Sequence, residues 1–537
     1  MALHDLVVLV RRLLSWRPSR RRPVRLGATE IAAARHLADA ERAAGGVPDG
    51  CAWLDSRTVE DLDLALVFRA IDRTATPLGA QALWRWLVAP AVRFEVVAAR
   101  ERAMARLARP AVRDAVREAI GAPLASDAPL LPRLLWEPAP RPLRMTGFIA
   151  LLSAFAAFGL LAVLWWPPLA LGCLGVFIAN LVVDDWAGAQ LAGQGHAIAQ
   201  LARTLASIER LLALPDLHDL RDETIARDLA VFAGLRRRVT WLTLRDPFDL
   251  AEVLRAGLLV RLLLVGRFMA IIGRERLRLR RLMLWLGELD ASASVATLRA
   301  ERRDARLPQL APGAPRLTAE ALVHPAIEGA VGNDLALGAG LLVTGSNMSG
   351  KSTFLRTIAV NAICAQSIHT TFGTWRAGLF EIFAVMRVQD ATAEGMSKYA
   401  IEVDAIGALL DAALRRRHGL PGLFVIDEPF SGTNPALRVP IVVSTLDYLG
   451  ARDLAIAATH DLDVAAQVDP RFARGYFAEP DDATGRFDRK LRPGVAPTRN
   501  ALALLIRAGY PSAIIAAVER RVAALAAPGA GLARGPR

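Results

Sequence analysis

Residues 341–356 read LLVTGSNMSGKSTFLR: an apolar run rich in branched side chains, a loop bounded by glycines, then a stretch with helical periodicity. This order commits the chain to a buried strand, a tight loop and a helix in succession. Glycines let the loop N–H groups turn inward, and the helix that follows points its positive end at whatever they surround. Gly345, four residues, then Gly350, Lys351 and Ser352 fit the phosphate-loop spacing in the strand-then-helix setting that the pattern requires. The candidate nucleotide-binding set is therefore Gly345, Ser346, Asn347, Met348, Ser349, Gly350, Lys351, Ser352 and Thr353. Lys351 is expected to neutralise the β and γ charge of a nucleoside triphosphate, and Ser352 to ligate Mg²⁺.

A phosphate loop needs a second half, a strand that ends in acids. LFVIDE, residues 423–428, supplies it, with Asp427 as the metal-side carboxylate and Glu428 as general base or water-polarising group. A third apolar strand, residues 454–458, runs into Thr459 and His460 and places an imidazole at another strand end, in the position of a γ-phosphate sensor.

These pieces resemble the MutS family of DNA mismatch-repair ATPases, a branch of the ABC-type class. Besides GSNMSGKST, the resemblance rests on Val323-His324-Pro325, Gly332-Asn333-Asp334-Leu335, the loop EGMSKYAIE at 394–402, Ser431-Gly432-Thr433 and Ala458-Thr459-His460, in the family's order. Upstream it extends to WLDSRTVEDLDL from Trp53, Thr76-Pro77-Leu78-Gly79 and Gly287-Glu288-Leu289-Asp290, which look like parts of the family's helical core and levers. The resemblance implies ATP and Mg²⁺ as cofactors and a homodimer across the nucleotide sites, in which Ser397 of the signature loop reaches the γ-phosphate of the other subunit. It also implies DNA, including mismatched DNA, as a partner. Ser346 and Ser349 stand where the family has Pro and Gly; Met396, Lys398 and Tyr399 replace Arg, Thr and Phe; and Pro429 follows the acids. These departures point to a divergent branch. About 50 residues precede the core-like segment, and no Phe-x-Glu wedge is found there, so the family's mismatch-reading domain is expected to be missing.

The fold class expected is an α/β P-loop ATPase domain of the ABC type at 317–525, preceded by an all-α core and lever domain interrupted by an apolar transmembrane hairpin. The helical parts fall at 50–140 and 186–305, between a basic amphipathic segment at 1–49 and a disordered tail at 528–537. The hairpin rests on Met145 to Val183, which carries no charged residue. Residues 146–166 are long enough to span, Trp165-Trp166 suits an interface, and Pro167-Pro168 breaks the helix. The second piece, 169–183, reaches only about 22 Å, which leaves one span or two open. Membrane contact through 145–183 would place the chain at the inner face of the cell membrane with its ATPase domain cytoplasmic. Residues 256–273 contain Arg261 and Arg267 and read as a lever helix rather than a further span.

The formal net charge of +13 favours a polyanionic partner, phosphate backbone or anionic lipid, without choosing between them. The arginines at 274, 276, 278, 280 and 281 are candidates for that contact or simply a solvated face. Three scattered cysteines, Cys51, Cys173 and Cys364, exclude a disulfide framework and a zinc site. The alternative to a DNA-binding ATPase is a membrane-anchored mechanochemical ATPase acting on a protein or lipid partner.

Overall fold

The computed structural model describes residues 28–121, 135–136, 146–162, 170–220, 223–234, 256–312, 316–346, 349–386, 398–416, 418–478, 487–496 and 509–526. The basic stretch before residue 28, Trp165 to Pro168, Asn347, Met348, Ser397 and the 528–537 tail lie outside them. The chain divides into two units: residues 1–53, 64–305 and 366–370 form one, and 54–63, 306–365 and 371–537 the other.

The second unit holds a six-stranded and a four-stranded sheet, beside the short strand Thr371–Phe372. The strands of these two sheets are β1 (Gln309–Leu310), β2 (Leu317–Leu322), β3 (Asn333–Leu337), β4 (Gly340–Thr344), β5 (Thr374–Ala377), β6 (Glu381–Val385), β7 (Gly422–Asp427), β8 (Leu454–Thr459), β9 (Phe472–Phe477) and β10 (Leu491–Pro493). The larger sheet runs β10-β9-β4-β8-β7-β6, all parallel except β10. The smaller runs β1-β5-β2-β3. In β4, β7 and β8 every residue is buried, which is why these segments read as unbroken apolar runs rather than alternating ones. The helices are α1 (Ser56–Asp61), α2 (Lys351–Ser367), α3 (Lys398–Leu414), α4 (Pro435–Gly450), α5 (Leu462–Gln467) and α6 (Ser512–Ala526).

One core joins Leu342, Phe424, Ile426, Ala455 and Ala457 of the sheet to Val442, Leu446 and Leu449 of α4 and to Ile406 and Leu409 of α3. Each large aliphatic side chain fully buried there contributes about 1.5–3 kcal/mol. Asn361, fully buried on α2, ties that helix to the segments beside it: its amide donates to the Val323 carbonyl, just past β2, at 3.0 Å and accepts from the Phe372 N–H at 2.7 Å. The short helix α1 closes the β6 edge. Thr58 Oγ1 accepts from the Ala384 N–H at 2.9 Å, and Asp61 from the Met386 N–H at 2.8 Å.

The first unit is helical, and its centre is the pair Pro77–Val88 and Arg276–Glu301. A Cβ on Gly287 would stand 2.7 Å from the Leu78 carbonyl, so the two backbones meet where only glycine fits. Beside that crossing Asp290, fully buried, accepts from the Ala75 N–H at 3.0 Å, the Thr76 N–H at 2.8 Å and the Thr76 hydroxyl at 2.6 Å. Thr76 in turn caps the helix by accepting from the Gly79 N–H at 3.0 Å. Two motifs some 200 residues apart thus form one lock.

Burial pushes the Asp290 carboxyl from 3.8 up to about 6, against the lowering effect of its three donors. An acid raised on folding holds its proton more readily in the folded than in the unfolded chain. Its contribution is therefore present at low pH and lost as pH rises from about 4 to about 6. At about 1.4 kcal/mol per pKa unit, up to about 3 kcal/mol is expected to disappear across that window. Urea unfolding of the full chain followed by tryptophan fluorescence should show this slope, and Asp290→Asn should remove it.

The arginine run is half-exposed and makes contacts within its own unit, with Arg274 left largely in solvent. Arg278 and Arg281 both pair with the buried Asp228, at 3.3 and 2.7 Å. Arg276 and Arg280 donate to the Leu135 carbonyl, and the Arg280 guanidinium lies over the Trp136 ring at 5.3 Å.

The expected transmembrane hairpin is not there: among the described residues no helix is long and apolar enough to cross a membrane. Helix Thr146–Ala162, 17 residues, reaches only about 25 Å of the roughly 30 Å needed. Helix Ala170–Ala213 does not stop at Val183 but continues through Asp184 and Asp185, with Asp184 buried. Both pack on helix Val260–Arg274. Ile149, Leu152, Val183, Leu259, Leu262 and Leu263 form a small core, the Ser153 hydroxyl donates to the Leu258 carbonyl at 2.6 Å, and the Asn180 amide to the Gly257 carbonyl at 2.8 Å. The apolar block is interior helix packing on one side, while Phe148, Leu151, Phe155 and Phe158 stay exposed on the other. The membrane contact through 145–183 loses its basis with the hairpin.

Candidate functional site

Strand register decides which side chains meet. Thr344 at the end of β4 pairs with Thr459 at the end of β8, and Ala458 pairs with Asp427 at the end of β7. The residues that follow, Gly345, His460 and Glu428, therefore emerge from three adjacent parallel strands at one level. Ligand crevices lie at such carboxyl ends.

The loop after β4 needs backbone that side chains avoid. Gly345 has φ +143° and Gly350 φ +109°, both outside the comfortable range of an L residue. Lys351 opens α2 and is only 4% exposed; its ammonium donates to the carbonyls of Gly345 at 2.7 Å and Ser346 at 2.9 Å. Nζ also stands 3.4 Å from Glu428 Oε1. The Ser349 hydroxyl is buried and has no protein partner among the described residues, a polar group left for a ligand to satisfy. Ser352 and Thr353 lie in the first turn of α2, and Asp427 is buried at the strand end. Hydroxyl and carboxylate oxygens with a phosphate loop between them are the donor set of a hard divalent cation, so the residues fit Mg²⁺.

Glu428 bridges the other two strands. It sits at φ +50°, a left-handed conformation held by its N–H donating to the Ala458 carbonyl at 2.9 Å. Its Oε2 lies 2.6 Å from His460 Nδ1. Burial alone would raise the Glu428 carboxyl, but the His460 hydrogen bond and the Lys351 charge outweigh it and hold the group below the ordinary glutamate value. His460 moves the other way, raised first by its hydrogen bond to Glu428. Each group thus favours the charged form of the other. His460 is followed by Asp461, which caps α5 and pairs with Arg438 at 2.9 Å, fixing the strand end behind the imidazole.

The structure thus brings together Gly345, Lys351, Glu428 and His460, with Asp427, Ser349, Ser352 and Thr353 beside them. It does not describe Asn347, Met348 or Ser397. Burial brings His324, which lies near Arg356, down to about 4, so it is neutral.

Arg489 escaped the sequence reading. Its Cγ comes within 3.8 Å of where a Cβ on Gly350 would be. Its backbone is left-handed at φ +54°, and Asn333 pins it by donating to the Arg489 carbonyl at 3.1 Å and accepting from the Leu491 N–H at 2.7 Å. The available signal was Asn333 in the Gly332-Asn333-Asp334 motif, whose amide is shared between the local Val331 carbonyl at 3.2 Å and the distant Arg489 carbonyl.

Residues 341–526 match the family profile described as MutS domain V. The chain is similar to the DNA mismatch repair protein MutS of Natronomonas pharaonis, 33% identical over 183 residues, which are 32% of this chain and 21% of that protein. It is similar to the DNA mismatch repair protein MutS of Chloroflexus aurantiacus, 30% identical over 275 residues, 47% of this chain and 27% of that one. The DNA mismatch repair protein MutS of Thermus thermophilus is 30% identical over 267 residues, again 47% of this chain and 32% of that one. The chain spans under a third of the length of these curated relatives.

Proposed function

We propose that this chain is a MutS-type ATPase that hydrolyses ATP to ADP and phosphate, pairs with a second copy across its nucleotide sites and binds DNA. The observation that carries the reading is the convergence of Lys351, Glu428 and His460, through strand register, at the mouth of a phosphate loop inside a MutS domain V. Loop 345–353 would hold the triphosphate, with Lys351 and the first turn of α2 neutralising its charge. Mg²⁺, when bound, supplies further neutralisation of the phosphates, and Ser352 and Asp427 are the residues to hold it. Glu428, kept ionised below the ordinary carboxylate value, is a weak proton acceptor. Its role is therefore to orient and polarise the attacking water rather than to take its proton early. His460 fixes that carboxylate and stands as the γ-phosphate sensor. Arg489, whose aliphatic stem passes Gly350, is a further basic residue near the loop. Ser397 acts across the pair of subunits, as the resemblance implies.

DNA binding is supported by the relatives, each a DNA mismatch repair protein by name, and by the net charge of +13. ATP turnover by the full chain, measured with no DNA, with homoduplex and with single-mismatch duplex at two salt concentrations, tests this part. Stimulation or inhibition that weakens at the higher salt is expected. Turnover indifferent to both duplexes, with no salt-dependent duplex affinity, would favour an ATPase acting on a protein partner.

A further inference from the structure

We propose that Glu402 is a positioning residue for Glu428, acting through the loop between β7 and α4; the inference rests on the hydrolytic reading above. Glu402 lies in the second turn of α3 and is only 4% exposed. Both its oxygens are engaged by that loop: the Ser431 hydroxyl donates to Oε1 at 2.7 Å, and the Gly432 N–H to Oε2 at 3.0 Å. These donors come three and four residues after Glu428. Between them the chain is strained at two non-glycine positions, Glu428 at φ +50° and Phe430 at φ +56°. Left-handed residues of this kind persist only where their surroundings hold them.

The hold comes from one face of one helix. Tyr399, three residues before Glu402, places its ring 6.4 Å from that of Phe430, which is itself buried in the core. The loop is thus gripped by an aromatic contact at Phe430 and by a carboxylate at Ser431 and Gly432. An apolar side chain in place of Glu402 would fill the space without desolvating a charge. What the carboxylate adds is direction: two hydrogen bonds that fix the peptide orientation downstream of Glu428. Glu428 has to present one oxygen 2.6 Å from His460 and the other 3.4 Å from Lys351. Loosening residues 430–432 would let residues 428–430 relax toward right-handed backbone and carry the carboxylate out of that bridge.

Wild type, Glu402→Gln, Ser431→Ala and the double variant of the full chain provide the test. ATP turnover, binding of a fluorescent ATP analogue and the NMR titration of His460 are measured on each. Turnover is expected to fall about tenfold in Glu402→Gln and about threefold in Ser431→Ala, with nucleotide affinity within twofold of wild type. The double variant should be no slower than Glu402→Gln, because both changes break one contact. His460 should titrate lower in Glu402→Gln, since its raised value depends on Glu428 being in place. Unchanged turnover and unchanged His460 titration in folded variants would overturn the inference. So would turnover, affinity and thermal midpoint all falling together. Should Glu402→Gln fail to fold, Ser431→Ala, which removes a single hydroxyl, carries the test by itself. A wild type that binds nucleotide but does not hydrolyse it would defeat the hydrolytic reading instead, and the His460 titration would still decide the positioning.

Discussion

Lys351→Ala is expected to reduce ATP affinity by about a thousandfold and to abolish measurable turnover. The side chain is almost wholly buried, and its ammonium is held by two loop carbonyls. Removing one partner of a buried, hydrogen-bonded charge pair costs about 2–5 kcal/mol, and each 1.4 kcal/mol is about tenfold in affinity. A second effect follows inside the protein. Glu428 loses the Lys351 charge that helps hold its carboxyl low, so burial raises it and weakens its pairing with His460. Titration of the chain with a fluorescent ATP analogue, beside circular dichroism to show that the fold survives, checks this outcome. Affinity within tenfold of wild type would remove Lys351 from the triphosphate.

Glu428→Gln separates binding from chemistry. Glutamine keeps the shape of the side chain and one acceptor oxygen, so nucleotide affinity should stay near wild type. The loss of a group that orients and polarises water should slow turnover by about 10²–10⁴-fold. With hydrolysis blocked and binding intact, an ATP-bound dimer should accumulate, detectable by light scattering. The same variant should lower the His460 titration, because the hydrogen bond to the Glu428 carboxylate is the first cause of its rise. The two readouts are independent: normal hydrolysis would refute the role given to Glu428, and an unmoved His460 would refute the pairing.

The strand, loop and helix around Lys351 were legible because each is set locally. A run buried on both faces, two glycines at fixed spacing and a helical period leave little else for residues 341–367 to do. The same holds for the apolar runs that end at Asp427 and Thr459. That these ends meet was not local, since it depends on β8 lying between β4 and β7, a sheet order no spacing encodes. The contacts that tune the site were equally hidden. Glu402 and Ser431 are 29 residues apart, and Asn333 and Arg489 are 156 apart.

The hairpin reading failed for a physical reason. Counting apolar residues from Met145 to Val183 summed two helices, one too short and one that runs on through buried Asp184. Thr146–Ala162 packs one face on helix Val260–Arg274 and leaves Phe148, Leu151, Phe155 and Phe158 exposed, and composition does not distinguish such a helix from a membrane span. The arginines after residue 274 misled in the opposite sense. They read as a charge run and are half-exposed, but Asp228 and the Leu135 carbonyl, which no local spacing announces, lie within reach of four of them.

Phosphate release from ATP by the purified full chain, followed over many turnovers with Mg²⁺ and again after chelation, tests the central claim most directly. The account predicts continuous release with Mg²⁺ that stops on chelation and is absent in Lys351→Ala. A folded chain that releases no phosphate in the presence of Mg²⁺, or one whose release is untouched by Lys351→Ala, would contradict it.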